Sequence, residues 1–397
     1  MIPRVCVVSA LYHPDLGGLG RQAQLLSERL RKEGVDLFVI ARKMEVSGGA
    51  VYSPSVEVVR VPSLFSKHHI LEEISLKNIL ISVVFSLGCL VVLTRRRRSY
   101  DLVHFHGASI PLFVTLPFLK WMGKKVVAKV AAANLGTEAG SLSGKYWVVG
   151  DLLAGLMKRV DIFIAISEEI KTGLLRDGVP PEKVRRIANF IDPSRFHPPE
   201  PGEKESRKAD FGYAGKCLVL FAGRFVPRKG VDFLLTAWQK ISYGFPDARL
   251  LLLGDGPIRP QLEKMASSLG ISETARFLGR VDNVDEYLRA ADIFVLPSLQ
   301  EGLSNSLLEA MASGTAVLAT RIGGVTDVVE DNVDAILVEP GDAVKMAKGL
   351  TVLLGDETVR ERCATSAAEK MGRFYSLGSR VERYIALYNE TTGGVFK

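Results

Sequence analysis

Cysteine is scarce in this 397-residue chain. The four present, Cys6, Cys89, Cys217 and Cys363, are scattered with no close pair. That argues against a zinc framework and a disulfide scaffold, and it suits a reducing cytoplasm. No signal-peptide pattern opens the chain, since Met1-Ile-Pro-Arg4 runs straight into the apolar run 5–9. Zinc-finger spacing, RNA-binding aromatic motifs and a basic zipper are missing, which leaves no nucleic-acid reading. Short-period repeats and low-complexity tracts are missing too. The strongest membrane candidate, 79–93, has fifteen residues and includes Ser82, Ser86, Gly88 and Cys89. A spanning helix needs roughly 20 apolar residues, so this segment reads as a core or partly exposed helix. An interfacial helix is the alternative, because Arg95-Arg-Arg-Arg98 follows it.

Hydrophobic residues make up 47% and charged residues 24%, the balance of a soluble globular protein. The length points to about two domains. Charge divides unevenly. Residues 1–190 hold 26 Lys and Arg against 16 Asp and Glu, a balance of +10; residues 191–397 hold 25 against 28, a balance of −3. A basic first half invites contact with an anionic membrane or an acidic acceptor.

Short apolar runs at 5–9, 37–41, 56–61, 102–104, 126–130 and 162–166 read as strands, with helical stretches such as 21–32 and 150–159 between them. The scheme repeats at 218–222, 249–253, 275–278, 293–296, 316–319 and 335–338. Alternating strands and helices imply parallel sheets covered on both faces. Three prolines between Ile187 and Pro201 mark a linker. The fold expected is α/β, with two doubly wound Rossmann-like domains facing an interdomain cleft and ligand sites at the carboxyl ends of the strands. The domains are placed at 1–190 and 191–377, with a C-terminal helix, 378–397, completing the first.

Four constellations carry chemistry. Glu301 and Glu309 stand eight apart in Glu301-Gly-Leu-Ser-Asn-Ser-Leu-Leu-Glu309, one in a loop after a buried strand and one inside the helix that the loop opens. A helix N-terminus offers unpaired N–H groups and partial positive charge, so backbone can hold phosphate while the acids take hydroxyls. A solvated loop acid beside an ordinary helix acid fits the same letters. In Gly223-Arg224-Phe-Val-Pro-Arg228-Lys229-Gly230 a strand ends in glycine and cations before a helix, an anion-binding layout or a solvated basic turn. The first loop carries Gly17, Gly18 and Gly20, which let backbone approach a ligand or simply punctuate a turn. His104 and His106 end a strand. His104 reads as a core residue, and His106, beside Gly107, is better placed to meet a ligand. Neither has the partners of a metal site.

Taken together these elements, with Gly279-Arg280-Val281, resemble the GT4 family of retaining glycosyltransferases, which have the GT-B fold. All occur in the family's order, and Glu301 to Glu309 matches its EX7E motif. The resemblance implies that Arg224 and Lys229 bind the donor diphosphate, that Glu301 contacts the donor sugar and that Glu309 binds ribose. It implies that Gly223, Gly302, Leu303, Ser304, Asn305 and Ser306 meet sugar and phosphate, that Val281 flanks the base, and that Gly17 and Gly18 meet phosphate. His106 would lie over the reacting sugar. The sequence holds no Asp-x-Asp pair. The resemblance therefore implies no metal and no cofactor, with Arg224, Lys229 and the helix near Asn305 in the metal's place. The expected activity moves a hexosyl unit from a nucleotide sugar, leaning to a UDP-hexose or UDP-N-acetylhexosamine, to a glycan, lipid-linked or small acceptor of the cell envelope kind. The expected location is the cytoplasm, with peripheral contact on the inner face of the plasma membrane left open. Two other readings stay open: a nucleotide-sugar 2-epimerase of GT-B fold, and an inactive nucleotide-sugar-binding module.

Overall fold

A computed structural model describes residues 2–12, 18–43, 55–64, 76–131 and 155–393. The chain divides into two compact units, Met1–Asn189 with Leu377–Lys397, and Phe190–Ser376.

The first unit is built on seven parallel strands: β1 Val5–Ser9, β2 Leu37–Arg42, β3 Glu57–Val61, β4 Leu102–His106, β5 Lys125–Val130, β6 Ile162–Ala165 and β7 Val184–Arg186. Their order in the sheet is β3-β2-β1-β4-β5-β6-β7. Strands β1, β2 and β4 are buried along their whole length, which is why each reads as an uninterrupted apolar run. Strand β7 was not legible. It is a three-residue edge strand of Val184-Arg185-Arg186, and charge is what an edge carries to discourage further pairing. Of the expected helix 150–159, the part before Gly155 lies outside the described residues.

The helix expected over 79–93 needs correcting. It runs from Leu76 to Arg95, 20 residues, because Lys77, Asn78, Thr94 and Arg95 continue the helical backbone past the apolar stretch that marked it. Ile81, Phe85, Cys89 and Leu93 form its buried stripe. Gly88 lets it approach β3, where a Cβ would meet Val61 Cγ1 at 2.0 Å.

The last helix, Leu377–Thr392, belongs to this first unit. It buries Val381, Tyr384, Leu387 and Tyr388. His104 Nδ1 lies 2.7 Å from Tyr388 Oη, a contact across 284 residues. An ion pair of Arg185 with Glu390, at 2.5 Å, ties the same helix to β7.

The second unit repeats the plan with six parallel strands: β8 Cys217–Ala222, β9 Ala248–Leu253, β10 Ala275–Gly279, β11 Ile293–Leu296, β12 Ala316–Thr320 and β13 Ile336–Val338. Their order is β10-β9-β8-β11-β12-β13. Both sheets are doubly wound, and each turns back on itself once, between β1 and β4 in the first and between β8 and β11 in the second. Helix Val231–Ile241 covers the second sheet with Val231, Leu234, Leu235, Trp238 and Ile241. Trp238 is fully buried, and its indole N–H donates to Thr274 Oγ1 at 3.0 Å, so the polar end of the largest core side chain is satisfied.

Candidate active site

Strands β8 and β11 are neighbours and parallel, so their loops leave from one edge, at the point where the second sheet turns back. Open α/β sheets bind ligands there. The β8 loop brings Arg224, Arg228 and Lys229; the β11 loop brings Glu301. Glu301 is 7% exposed. Its Oε1 accepts from Lys229 Nζ in a tight ion pair and from Ser298 Oγ at 2.8 Å, while Arg228 Nη1 stands 3.6 Å from Oε2. A buried carboxylate is tolerable only when so compensated.

Glycine sets the closeness of the two loops. Gly230 has φ 62°, and a Cβ there would meet the Pro297 carbonyl oxygen at 2.2 Å. Beside it, the Leu299 N–H donates to the Arg228 carbonyl at 2.8 Å. We expect Gly230→Ala to lower stability by on the order of 2–4 kcal/mol, from left-handed strain plus a backbone clash. It also pushes Lys229 off Glu301. A denaturant midpoint equal to that of the parent protein would refute this account.

Neighbouring loops are stitched to the same edge. Gly254, with φ 131°, sits against Gly223, where a Cβ would fall 1.8 Å from the carbonyl oxygen, and its N–H donates to Gly279 at 2.7 Å. Phe225 N–H donates to Asp255 at 2.9 Å. A Cβ on Gly324 would meet the Gly302 carbonyl at 2.1 Å. The run Gly254-Asp255-Gly256, Gly324 and Ser298 were absent from the sequence reading. Two glycines around an acid after β9 were a signal that could have found the first; Ser298 gave none.

Helix Asn305–Ala312 follows Glu301. Ser304 is its N-cap, accepting the Leu307 N–H at 3.4 Å, and Ser304 Oγ is 3.0 Å from Ser306 Oγ. The amides of Asn305 and Ser306 come at the helix start, where no intrahelical acceptor exists. Glu309 lies within the helix and is half-buried. Gly302 and Leu303 connect Glu301 to the cap, with Leu303 buried. Arg224 and Val281, each half-buried, lie in the loops after β8 and β10, at the carboxyl edge of the sheet. Among the described residues no three His, Cys, Asp or Glu side chains gather as a metal site.

In the first unit, His106 ends β4, beside the turning point of that sheet. It is 4% exposed, and among the described residues neither ring nitrogen has a hydrogen-bond partner. Burial, then His104 and Lys129, push its pKa well below the usual histidine range, so it is a neutral imidazole. Lys129 pairs in register with His106, is fully buried, and has its pKa lowered by burial to about 7. A lysine inside the apolar run Val126-Val-Ala-Lys129-Val130 is the signal in the sequence that marks this position. Gly18 opens the helix Gly18–Lys32. Gly20 has a packing role, since a Cβ there would come 2.8 Å from the Leu11 carbonyl oxygen. Gly17 lies outside the described residues, as do residues 132–134 that follow β5.

Two family descriptions match the chain: "Glycosyltransferase Family 4" over residues 16–195 and "Glycosyl transferases group 1" over residues 216–356. The chain belongs to glycosyltransferase family 4. Among relatives of this GT4 chain is the lipopolysaccharide core biosynthesis glycosyltransferase LpsE of Rhizobium meliloti, 35% identical over 205 residues, which are 52% of this chain and 57% of LpsE. The match thus spans little more than half that relative's length. N-acetyl-alpha-D-glucosaminyl L-malate synthase of Bacillus anthracis is 25% identical over 378 residues, 95% of this chain and 94% of the relative. Anabaena Alr3699/HepE, solved in complex with UDP and glucose, superposes with a TM-score of 0.78 at 17% identity, covering 98% of this chain and 100% of HepE. That likeness speaks for the fold, which is GT-B.

Proposed function

We propose that this chain transfers a hexosyl unit from a nucleotide sugar, with retention at the anomeric carbon, and that the donor is a UDP-hexose or UDP-N-acetylhexosamine. The observation that carries the reading is the buried Lys229–Glu301 pair at the turning point of the second sheet, with Ser298 and Arg228 beside it. It sets cations and a carboxylate next to a helix N-terminus, as a molecule with a diphosphate centre and hydroxyl-rich ends requires.

Cleavage of the donor's glycosidic bond leaves the electron pair on the oxygen of the β-phosphate. Arg224 and Lys229 then face growing negative charge, and the amides at Asn305 and Ser306 point partial positive charge the same way. These groups stabilise the departing diphosphate more than the intact donor, which is what lowers a barrier. Glu301 takes sugar hydroxyls, Glu309 takes ribose, and Val281 flanks the base. In the first unit, His106 is our candidate for contact with a sugar hydroxyl, because a neutral imidazole offers one N–H and one lone pair. Cations of the chain serve where other transferases use a metal.

HepE in complex with UDP-glucose supports a UDP donor. The relatives' names place sugars on lipopolysaccharide core and on malate, so we propose the acceptor only as a glycan, lipid-linked glycan or small hydroxyl compound. A panel of UDP-, GDP- and ADP-sugars, read by nucleoside diphosphate release with and without EDTA, tests the reading. UDP release that persists in EDTA is expected. If no nucleotide sugar is bound or consumed, or if chelation abolishes turnover, the proposal fails.

A further inference from the structure

Helix Leu76–Arg95 is apolar on both faces. Its inner stripe is committed to the sheet, yet Leu80, Leu87 and Val91 on the opposite face are 48%, 54% and 49% exposed. No charged residue stands between Lys77 and Arg95. The segment Lys77–Arg95 is long and apolar enough to cross a membrane, with only 33% of it buried. It does not leave the fold to do so, because Phe85, Cys89 and Leu93 are buried and Gly88 lies tight against Val61 of β3. A helix with its inner face packed and its outer face apolar suits the surface of a bilayer rather than a span across it.

A second apolar helix, Ile110–Trp121, packs beside it and exposes Phe118 and, at its end, Trp121, which is 84% exposed. Both helices connect parallel strands of one sheet, so they run the same way and end at the same edge. Cations gather at that edge. Arg95, Arg97 and Arg98 are exposed, and Lys124 reaches over to the Tyr100 carbonyl at 2.5 Å. Nearby acids are engaged: Glu57 by Arg96 and Asp101 by Arg4.

We propose that this paired-helix face is a docking surface for an anionic lipid bilayer, with Leu80, Leu87, Val91 and Phe118 entering the acyl boundary, Trp121 at the interface and Arg95, Arg97 and Arg98 on the headgroups. Apolar bulk, an interfacial tryptophan and adjacent arginines are the three features a lipid surface engages together. A second copy of the chain would bring the same cations rather than acids to meet them.

Co-sedimentation of the full chain tests this with vesicles of phosphatidylglycerol in phosphatidylcholine, against phosphatidylcholine alone. Binding to the anionic vesicles is expected, falling with salt and accompanied by a blue shift of tryptophan emission that Trp121→Phe removes. The triple change Arg95→Gln, Arg97→Gln, Arg98→Gln should weaken partitioning by on the order of 100-fold, taking about fivefold for each arginine. Leu87→Glu with Val91→Glu should abolish it, while thermal stabilisation by UDP stays as in the parent and certifies the fold. Three results would each overturn the proposal: no sedimentation with anionic vesicles, undiminished sedimentation of the Leu87/Val91 variant, or a concentration-dependent dimer that this same variant dissolves.

Discussion

Lys229→Ala lowers kcat/KM for the nucleotide sugar by about 10²–10³-fold, the usual cost of removing one preorganised group that faces developing charge. The reason lies in where the ammonium is kept. Lys229 is 12% exposed and already ion-paired to a nearly buried Glu301, so its position is fixed before any donor arrives. Removing it costs twice. The leaving diphosphate loses a cation, and Glu301 is left in a buried place with Ser298 Oγ and the more distant Arg228 beside it. Lys229→Arg should recover little, because a planar guanidinium does not fit the place of a compact ammonium that also serves a carboxylate. Arg224→Ala is expected to fall in the same range, mostly in kcat, with Kd for UDP weakened. Initial rates against donor concentration, together with calorimetric UDP binding, separate the two contributions. Rates within twofold of the parent for Lys229→Ala would remove the basis of the proposed mechanism.

Acidification from pH 7 to pH 4 strongly destabilises the first unit. His104 is fully buried, and burial pulls its pKa to about 3, with Lys129 adding to the effect; burial, then His104 and Lys129, push His106 well below the usual histidine range too. An unfolded histidine binds its proton below about pH 6.5. Between there and pH 3 the unfolded chain therefore holds more protons than the native one, and stability falls as pH falls. At about 1.4 kcal/mol for each pH unit, His104 alone accounts for on the order of 5 kcal/mol across that window. That is a large part of what an ordinary domain has. Lys129 acts higher on the scale, with the same sign. Its pKa is lowered to about 7, so the stability it contributes when neutral is lost as pH falls from about 10.5 to 7 and changes no further below that. Melting curves at pH 7 and pH 4.5 read the histidine window. His104→Gln keeps a partner for Tyr388 but cannot titrate, and it should flatten the decline. A Tm unmoved between those pH values, or an equal slope in the variant, would contradict the assignment.

Much of this was legible along the chain, and the misses have physical causes. Buried parallel strands announce themselves because both faces must be apolar, so the runs at 5–9, 37–41 and 218–222 fall on β1, β2 and β8. Edge strand β7 has no such duty and hid behind two arginines. Helix Leu76–Arg95 outruns its apolar stretch, since apolarity marks what a helix buries and not how far its backbone hydrogen bonds continue. Ser298 and Gly254-Asp255-Gly256 escaped because their meaning lies in what another loop places opposite them.

The order of motifs determined the family, the alternation of strands and helices, and which cations and carboxylates stand in the loops after β8 and β11. These are local properties, fixed by which side chains a segment must bury and which it can leave in water. Folding alone decided that Lys229 meets Glu301 across 72 residues, that Tyr388 meets His104 across 284, and that the outer face of an apolar helix stays bare. No spacing along the chain encodes those meetings, because they depend on which parallel strands become neighbours, and that is settled by packing whole sheets rather than by any one segment.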